Sequence, residues 1–143
     1  MADGPADCIF CRIVRREAPA HVVFEDERTL AFMDIFPVAD GHTLIIPKAH
    51  CDDLFGADRD DLRAVIDRSR ELAHAIRRVL APDGLGVFQL NGAAAGQTVF
   101  HYHMHLIPRN RGASLAIHSR TPGDPARIAE VAKQLAQALA PER

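Results

Sequence analysis

The feature that most limits the fold is one long amphipathic stretch set among runs too short to be helices. Asp58 is a good helix N-cap, and Asp60 and Asp61 follow where a helix dipole favours negative charge. Leu62, Val65, Ile66, Leu72, Ile76, Val79 and Leu80 then recur mostly at three- and four-residue spacing, with Ser69 bridging the one gap. That spacing predicts a helix with a single apolar stripe. Arg77 and Arg78 lie near its end, and Pro82 with Gly84 stops it. The other runs are short, rich in β-branched and aromatic residues, and punctuated by Pro or Gly. They predict strands over residues 21–25, 29–34, 42–46, 86–91 and 98–107, with Pro37, Pro47 and Pro108 as stops. A last helix starts at Asp124 and Pro125, where a missing N–H costs nothing, and shows Ile128, Val131, Leu135 and Leu139 on one face. Strands that bracket one helix, joined by hairpin-length links, predict an α+β fold. It has a mainly antiparallel five-stranded sheet, one central helix and a C-terminal helix, and is not a doubly wound parallel sheet.

Residues 8–143 read as a single domain, with residues 1–7 a flexible tail and 112–143 a C-terminal extension that carries the last helix. A chain of 143 residues buries roughly 70% of its unfolded surface and folds without staples. The formal net charge of −2 argues against a nucleic-acid or membrane partner, although a small phosphorylated ligand needs only local donors. No apolar run reaches membrane-spanning length, and the first residues lack the basic start and apolar core of a signal peptide. The cysteines are Cys8, Cys11 and Cys51. An odd number with a Cys-x-x-Cys does not suit a secreted disulfide scaffold, so a reducing, cytoplasmic home is expected.

The chemistry is concentrated in His101-Tyr102-His103-Met104-His105-Leu106-Ile107. On a strand, alternate residues share a face, so three imidazoles line one side at about 6.7 Å intervals while Tyr102, Met104 and Leu106 point to the core. Such a row could be a polar strand face, a metal-binding strand, or a site of phosphoryl chemistry with histidine as nucleophile. The third fits its surroundings best. Neutral imidazole is nucleophilic near pH 7, and attack on phosphorus divides one hard displacement into two easier ones. The middle histidine has a partner on each side to orient it or to bind charge. Just upstream, Asn91 to Thr98 is a small-residue loop that could offer backbone N–H groups, with Gln97 and Thr98 adding side-chain donors. Cys8 and Cys11 are spaced like half of a tetrahedral zinc site, for which His50 and one strand histidine could supply the rest.

His101 to Ile107 resembles the signature of the histidine-triad (HIT) superfamily. Cys8 to Cys11, Ala31 to Ile35 with Pro37, Gly41 to Lys48, Asn91, and Gly96 to Phe100 resemble its bacterial-type members, closest to the Hint-like nucleotide-binding branch. The resemblance implies a homodimer that binds purine nucleotides. It implies that His103 takes the nucleotidyl group, that His105 binds the α-phosphate oxygens, and that His42 supports the proton network. It further implies that Asp34 accepts from the ribose hydroxyls, that Ile35, with Phe10 and Leu44, walls the base, and that Asn91, Gln97 and Thr98 face the phosphate and leaving group. His101 would complete a structural zinc site with Cys8, Cys11 and His50, and no catalytic metal would be required. The expected function is a nucleotidyl hydrolase or transferase, such as a nucleoside phosphoramidase, acting through a nucleotidyl-histidine. The alternatives are a dinucleoside polyphosphate hydrolase and a non-catalytic purine-nucleotide-binding adaptor. His21, His74 and His118 fit no pattern.

Overall fold

The computed structural model describes residues 5–139. The elements are α1 (Ile9–Val14), β1 (Val22–Glu25), β2 (Thr29–Met33), β3 (Thr43–Pro47), α2 (Arg59–Leu80), β4 (Gly84–Phe88), β5 (Met104–Arg109) and α3 (Pro125–Leu139), with single 3-10 turns at Leu54–Gly56 and Ala93–Ala95. The five strands form one sheet in the order β1-β2-β3-β5-β4, and every pair is antiparallel. The α+β architecture expected from the sequence is therefore the one observed. Of the expected N-terminal tail, residues 1–4 lie outside the described residues.

Alternation gives the sheet two different faces. Ala31 and Met33 of β2, Ile45 of β3 and Leu106 of β5 join Val65, Leu72 and Ile76 of α2 and Val131 and Leu135 of α3 in the larger core. Leu30 and Phe32 of β2, with Leu44 and Ile46 of β3, form a second cluster, which Phe10 of α1 covers. The second face carries the chemistry. Register places Phe32 opposite Leu44, Leu44 opposite His105, and His105 opposite Phe88, so one row across four strands ends the apolar cluster in a histidine.

Helix α2 starts as the sequence predicts, with Asp58 Oδ2 accepting from the N–H groups of Asp60 and Asp61. Its stripe is narrower than expected: Val65, Ser69, Leu72, Ala75 and Ile76 are buried, whereas Ile66 is 53% exposed. Ile66 follows the buried Val65 directly and so turns about 100° away from it. In α3, Asp124 Oδ1 accepts from the N–H of Ala126, and the helix packs on α2 and β1.

Several strand limits move, each for a local reason. The fourth strand is Gly84–Phe88 rather than 86–91, because Asn91 and Gln89 pair with each other through their amides. The second strand ends at Met33, where the Asp34 carboxylate accepts from the N–H of Phe36 and turns the chain. The third includes Pro47, opposite Thr29. The fifth is Met104–Arg109 rather than 98–107. Residues 98–103 leave the ladder, and the Tyr102 N–H goes to the Cys51 carbonyl at 2.8 Å. Pro108 stays inside the strand because β3 pairs only as far as Leu106, so no partner on that side needs its missing N–H.

Candidate active site and metal centre

Although β5 begins only at Met104, the expected alternation holds through the whole histidine row. His101, His103 and His105 are buried, and Tyr102 and Leu106 enter the larger core. Phe10 of α1 packs edge-on against the rings of both His101 and His103, at centroid distances of 5.9 and 5.1 Å.

At one end of the row, Cys8, Cys11, His50 and His101 bring one ligand atom each within 4.8 Å of one another. His101 Nδ1 lies 3.5 Å from both Cys8 Sγ and Cys11 Sγ, and His50 Nδ1 lies 3.2 Å from Cys11 Sγ. Zinc bound tetrahedrally at ordinary Zn–S and Zn–N lengths sets sulfur and nitrogen about 3.5 Å apart, so the spacing fits. The tautomers fit too. His101 Nε2–H donates to the Pro47 carbonyl at 2.8 Å and His50 Nε2–H to Asp52 Oδ1 at 2.9 Å. Both rings therefore turn an Nδ1 lone pair toward the sulfurs. Burial, reinforced by the Cys8 thiol, pushes the Cys11 thiol up to about 12. A thiolate in that place needs a cation beside it. Cys51, adjacent to His50, is not part of this cluster.

At the other end the hydrogen bonds run in one direction. A backbone N–H can only donate, so the 3.2 Å bond from the Val38 N–H makes His42 Nδ1 an acceptor. The neutral ring then carries its proton on Nε2, which donates to His105 Nδ1 at 3.0 Å. His105 in turn carries its proton on Nε2. That atom is buried and has no partner. His103 is set the other way. Its Nδ1–H donates to the His101 carbonyl at 2.6 Å, which leaves a lone pair on Nε2. The rings of His103 and His105 are 4.8 Å apart, so a lone pair and an unmatched N–H stand side by side.

Burial keeps these rings neutral. It lowers His42 to about 4 and His105 to about 3, and takes His103 below the ordinary histidine value. Asp34 Oδ2 lies 3.4 Å from His42 Nε2. Asp34, His42 and His105 could by spacing hold a second metal. The proton fixed on His42 Nε2 by Val38 removes the lone pair such a site would need, so the trio is a hydrogen-bond relay.

The upstream loop differs from expectation. Gln97 is buried; its Oε1 accepts from the Gly92 N–H, and its Nε2 donates to the carbonyls of Asp52 and Val99. Asn91 Oδ1 accepts from the Leu54 N–H and Gln89. The N–H groups of Ala95, Gly96 and Gln97 bond back into the loop. The loop is thus a closed turn in which the N–H groups of Gly92, Ala95, Gly96 and Gln97 are already bonded within it. Thr98 is exposed, as are Ile35 and Phe36 on the far side of the site. Sequence reasoning missed His118, whose ring lies 6.3 Å from that of His105. No local spacing could have found it, because an irregular segment carries it there.

Residues 15–112 match the HIT domain family, and the chain belongs to that family. A zinc-bound histidine triad family protein from Mycobacterium smegmatis has a similar structure, with a TM-score of 0.83 and 39% identity over 95% of this chain and 95% of that one. A hypothetical histidine triad nucleotide-binding protein from Sulfolobus tokodaii superposes with a TM-score of 0.84 and 32% identity, over 92% of this chain and 91% of that one. The adenylylsulfatase HINT3 of Arabidopsis thaliana is 39% identical over 103 residues, which are 72% of this chain and 52% of the plant protein.

Proposed function

We propose that this chain is a nucleotidyl hydrolase or transferase that cleaves nucleoside 5′-phosphoramidates or related nucleotide conjugates through a covalent nucleotidyl-histidine. The observation that carries this reading is the pairing of the His103 Nε2 lone pair with the buried, partnerless Nε2–H of His105. Phosphorus placed between them meets a nucleophile, and one of its oxygens meets a donor that has no other use. His103 Nε2 attacks the α-phosphorus, the bond to the leaving group breaks, and the leaving group departs with its electron pair and takes up a proton. Water then attacks the same phosphorus and releases the nucleoside monophosphate and His103. The His101 carbonyl holds Nδ1–H throughout and stabilises the cation that forms on the ring. His105 strengthens its bond as negative charge gathers on the phosphoryl oxygens, and the His42 relay keeps its proton on the correct nitrogen. No catalytic metal is needed for these steps.

Asp34 is assigned to the ribose hydroxyls, and Ile35, Phe10 and Leu44 to the purine. Thr98 is left to face the leaving group, whereas Asn91 and Gln97 act by shaping the loop, since their amides are occupied. Zinc bound by Cys8, Cys11, His50 and His101 is assigned a structural role, because four protein ligands leave no open position. The zinc-bound mycobacterial relative and the fit of the sulfur–nitrogen distances support this. The nucleotide-binding archaeal relative and the plant adenylylsulfatase support a nucleotide substrate. We further assign a homodimer. Strand β4 is an edge of the sheet with Val87 47% exposed, and free strand edges favour pairing; a monomer by light scattering would contradict this. The three free cysteines suit a reducing cytoplasm.

The decisive experiment measures AMP release from adenosine 5′-phosphoramidate by wild type and His103→Ala. Turnover is expected in wild type and to fall at least about a thousandfold in the variant, with nucleotide still bound. Nucleotide binding without turnover by wild type would refute the phosphoramidase, and failure to cleave dinucleoside polyphosphates as well would favour an adaptor.

A further inference from the structure

The turn between β2 and β3 sets the proton on His42, and the rest of the chain holds that turn unevenly. At its start, the Gly123 N–H donates to the Ile35 carbonyl at 2.9 Å. Gly123 also lies so close to Pro37 that a Cβ would stand 2.7 Å from Pro37 Cγ. At its end, Gly41 has a φ of +89°, and a Cβ there would run into the side chains of Leu80 and Pro108. Between these fixed points, residues 38–40 border a cleft of about 300 Å³. Met33, Val38 and His42 line it from the sheet and the turn, and Arg127, Ile128 and Val131 line it from α3.

One ion pair joins the turn to the helix at this cleft. Arg127 Nε–H donates to Asp40 Oδ1 and Oδ2, each at 3.1 Å, and Nη2–H donates to Oδ2 at 2.7 Å. The other arm of the guanidinium reaches Glu130 of its own helix at 2.6 Å. Among the described residues, nothing else outside the turn hydrogen-bonds to residues 38–40. Charge-assisted contacts from two arms of a planar fork fix a carboxylate in position as well as in charge.

The position matters because the relay has two arrangements with the same number of protons. In the observed one, the Val38 N–H occupies His42 Nδ1, His42 Nε2–H donates to His105 Nδ1, and His105 keeps a proton on Nε2. In the reverse one, His42 is protonated on Nδ1, His105 Nδ1–H donates to His42 Nε2, and His105 Nε2 is left with a lone pair. A lone pair there repels the phosphoryl oxygen that an N–H would bind. The Val38 N–H excludes the reverse arrangement, since two N–H groups cannot face each other across 3.2 Å. Asp34 Oδ2, 3.4 Å from His42 Nε2, favours the observed arrangement as well, so loosening Val38 shifts the balance without inverting it.

We propose that Arg127 is a positioning residue: through Asp40 it holds Val38 against His42 Nδ1, and so keeps the donor on His105 Nε2. Its effect on turnover rests on His103 being the nucleophile; its effect on the His42 proton does not.

The test records imidazole nitrogen–proton correlation spectra, AMP affinity and AMP release from adenosine 5′-phosphoramidate. The full chain is used as wild type, Arg127→Ala, Arg127→Lys, Asp40→Ala and the double alanine variant. Neither side chain is buried, so the variants keep the fold. Wild type is expected to show His42 protonated on Nε2 alone. In Arg127→Ala a form protonated on Nδ1 appears, and kcat falls about fivefold, the upper range for an exposed ion pair, while AMP affinity stays within about twofold. Asp40→Ala gives the same change, the double variant no more than either single one, and Arg127→Lys recovers part of it. An unchanged His42 spectrum overturns the inference. So do single effects that add in the double variant, which would mean that the two residues act separately. A loss of AMP affinity at constant kcat also overturns it, leaving the ion pair as a support of the nucleotide pocket. Where wild type is inert toward the phosphoramidate, the spectrum decides: a shifted His42 proton upholds the role of Arg127 while the hydrolase falls.

Discussion

The two ends of the histidine row use the same side chain in opposite ways. At the Cys8–Cys11 end, His50 and His101 anchor through Nε2–H to Asp52 and Pro47 and turn Nδ1 lone pairs inward to a closed cluster. At the other end, His103 anchors through Nδ1–H to its own chain and presents Nε2, while His42 Nε2–H donates to His105 Nδ1, and the Nε2–H of His105 ends unpaired. The imidazoles are chemically identical. What differs is which nitrogen a fixed acceptor or donor has claimed. The first end has every ligand position filled by the protein and suits a structural ion; the second keeps one lone pair and one donor free and suits a passing phosphate.

The contrast can be broken most forcefully at the metal end. Cys11→Ser is expected to lose the metal and to cost about 4 kcal/mol or more, read by denaturant unfolding alongside metal content. A variant that keeps full stability without metal would mean that the cluster is not structural. The next largest effect is acid sensitivity. Burial holds His42 at about 4 and His105 at about 3, below the value near 6.5 of an unfolded histidine. Below about pH 6.5 the unfolded chain binds protons that the native chain refuses. Their contribution is therefore fully present above about pH 6.5 and lost progressively as pH falls from there through 4 toward 3, where the native rings take up their protons. His42→Gln should flatten that part of the pH–stability curve, and an unaltered slope would contradict the neutral relay.

Smaller effects sharpen the same contrast. His42→Ala removes the donor that fixes the His105 tautomer, so AMP release should slow by about 10- to 100-fold with metal content unchanged. A wild-type rate would mean that His105 needs no relay. Asp52→Ala releases only His50 Nε2, and is expected to weaken metal affinity about tenfold while leaving AMP release intact. A fall in turnover with metal still bound would show that the two ends are coupled.

Much of this was legible in the sequence because it depends on short-range order. The 58–80 periodicity, the Asp58 and Asp124 caps and the five strand runs are set by neighbours a few residues apart, and they appear as elements with shifted ends. The ends shifted wherever a side chain or a distant carbonyl outbid the ladder. Asp34 turns the chain after Met33, and the Cys51 carbonyl takes the Tyr102 N–H away from the sheet. The alternation of His101, His103 and His105 was legible for the same reason. The loop from Asn91 to Thr98 was not: its small residues suit an anion cradle and a closed turn equally, and only Gln97 bonding across to Asp52 and Gly92 decides for the turn.

The sequence by itself determined which residue types are available and which face each shares, since period and cap are properties of the local chain. The folded structure decided which nitrogen carries the proton on His42, His50, His101 and His103. Pro47 fixes His101 from 54 residues away; Val38, Asp52 and the His101 carbonyl lie within four residues of His42, His50 and His103, but only the folded backbone brings them into hydrogen-bond reach of the rings. It also decided that His118, separated from His105 by an irregular segment, stands against it, because contacts across that span are made by folding and leave no periodic trace in the chain.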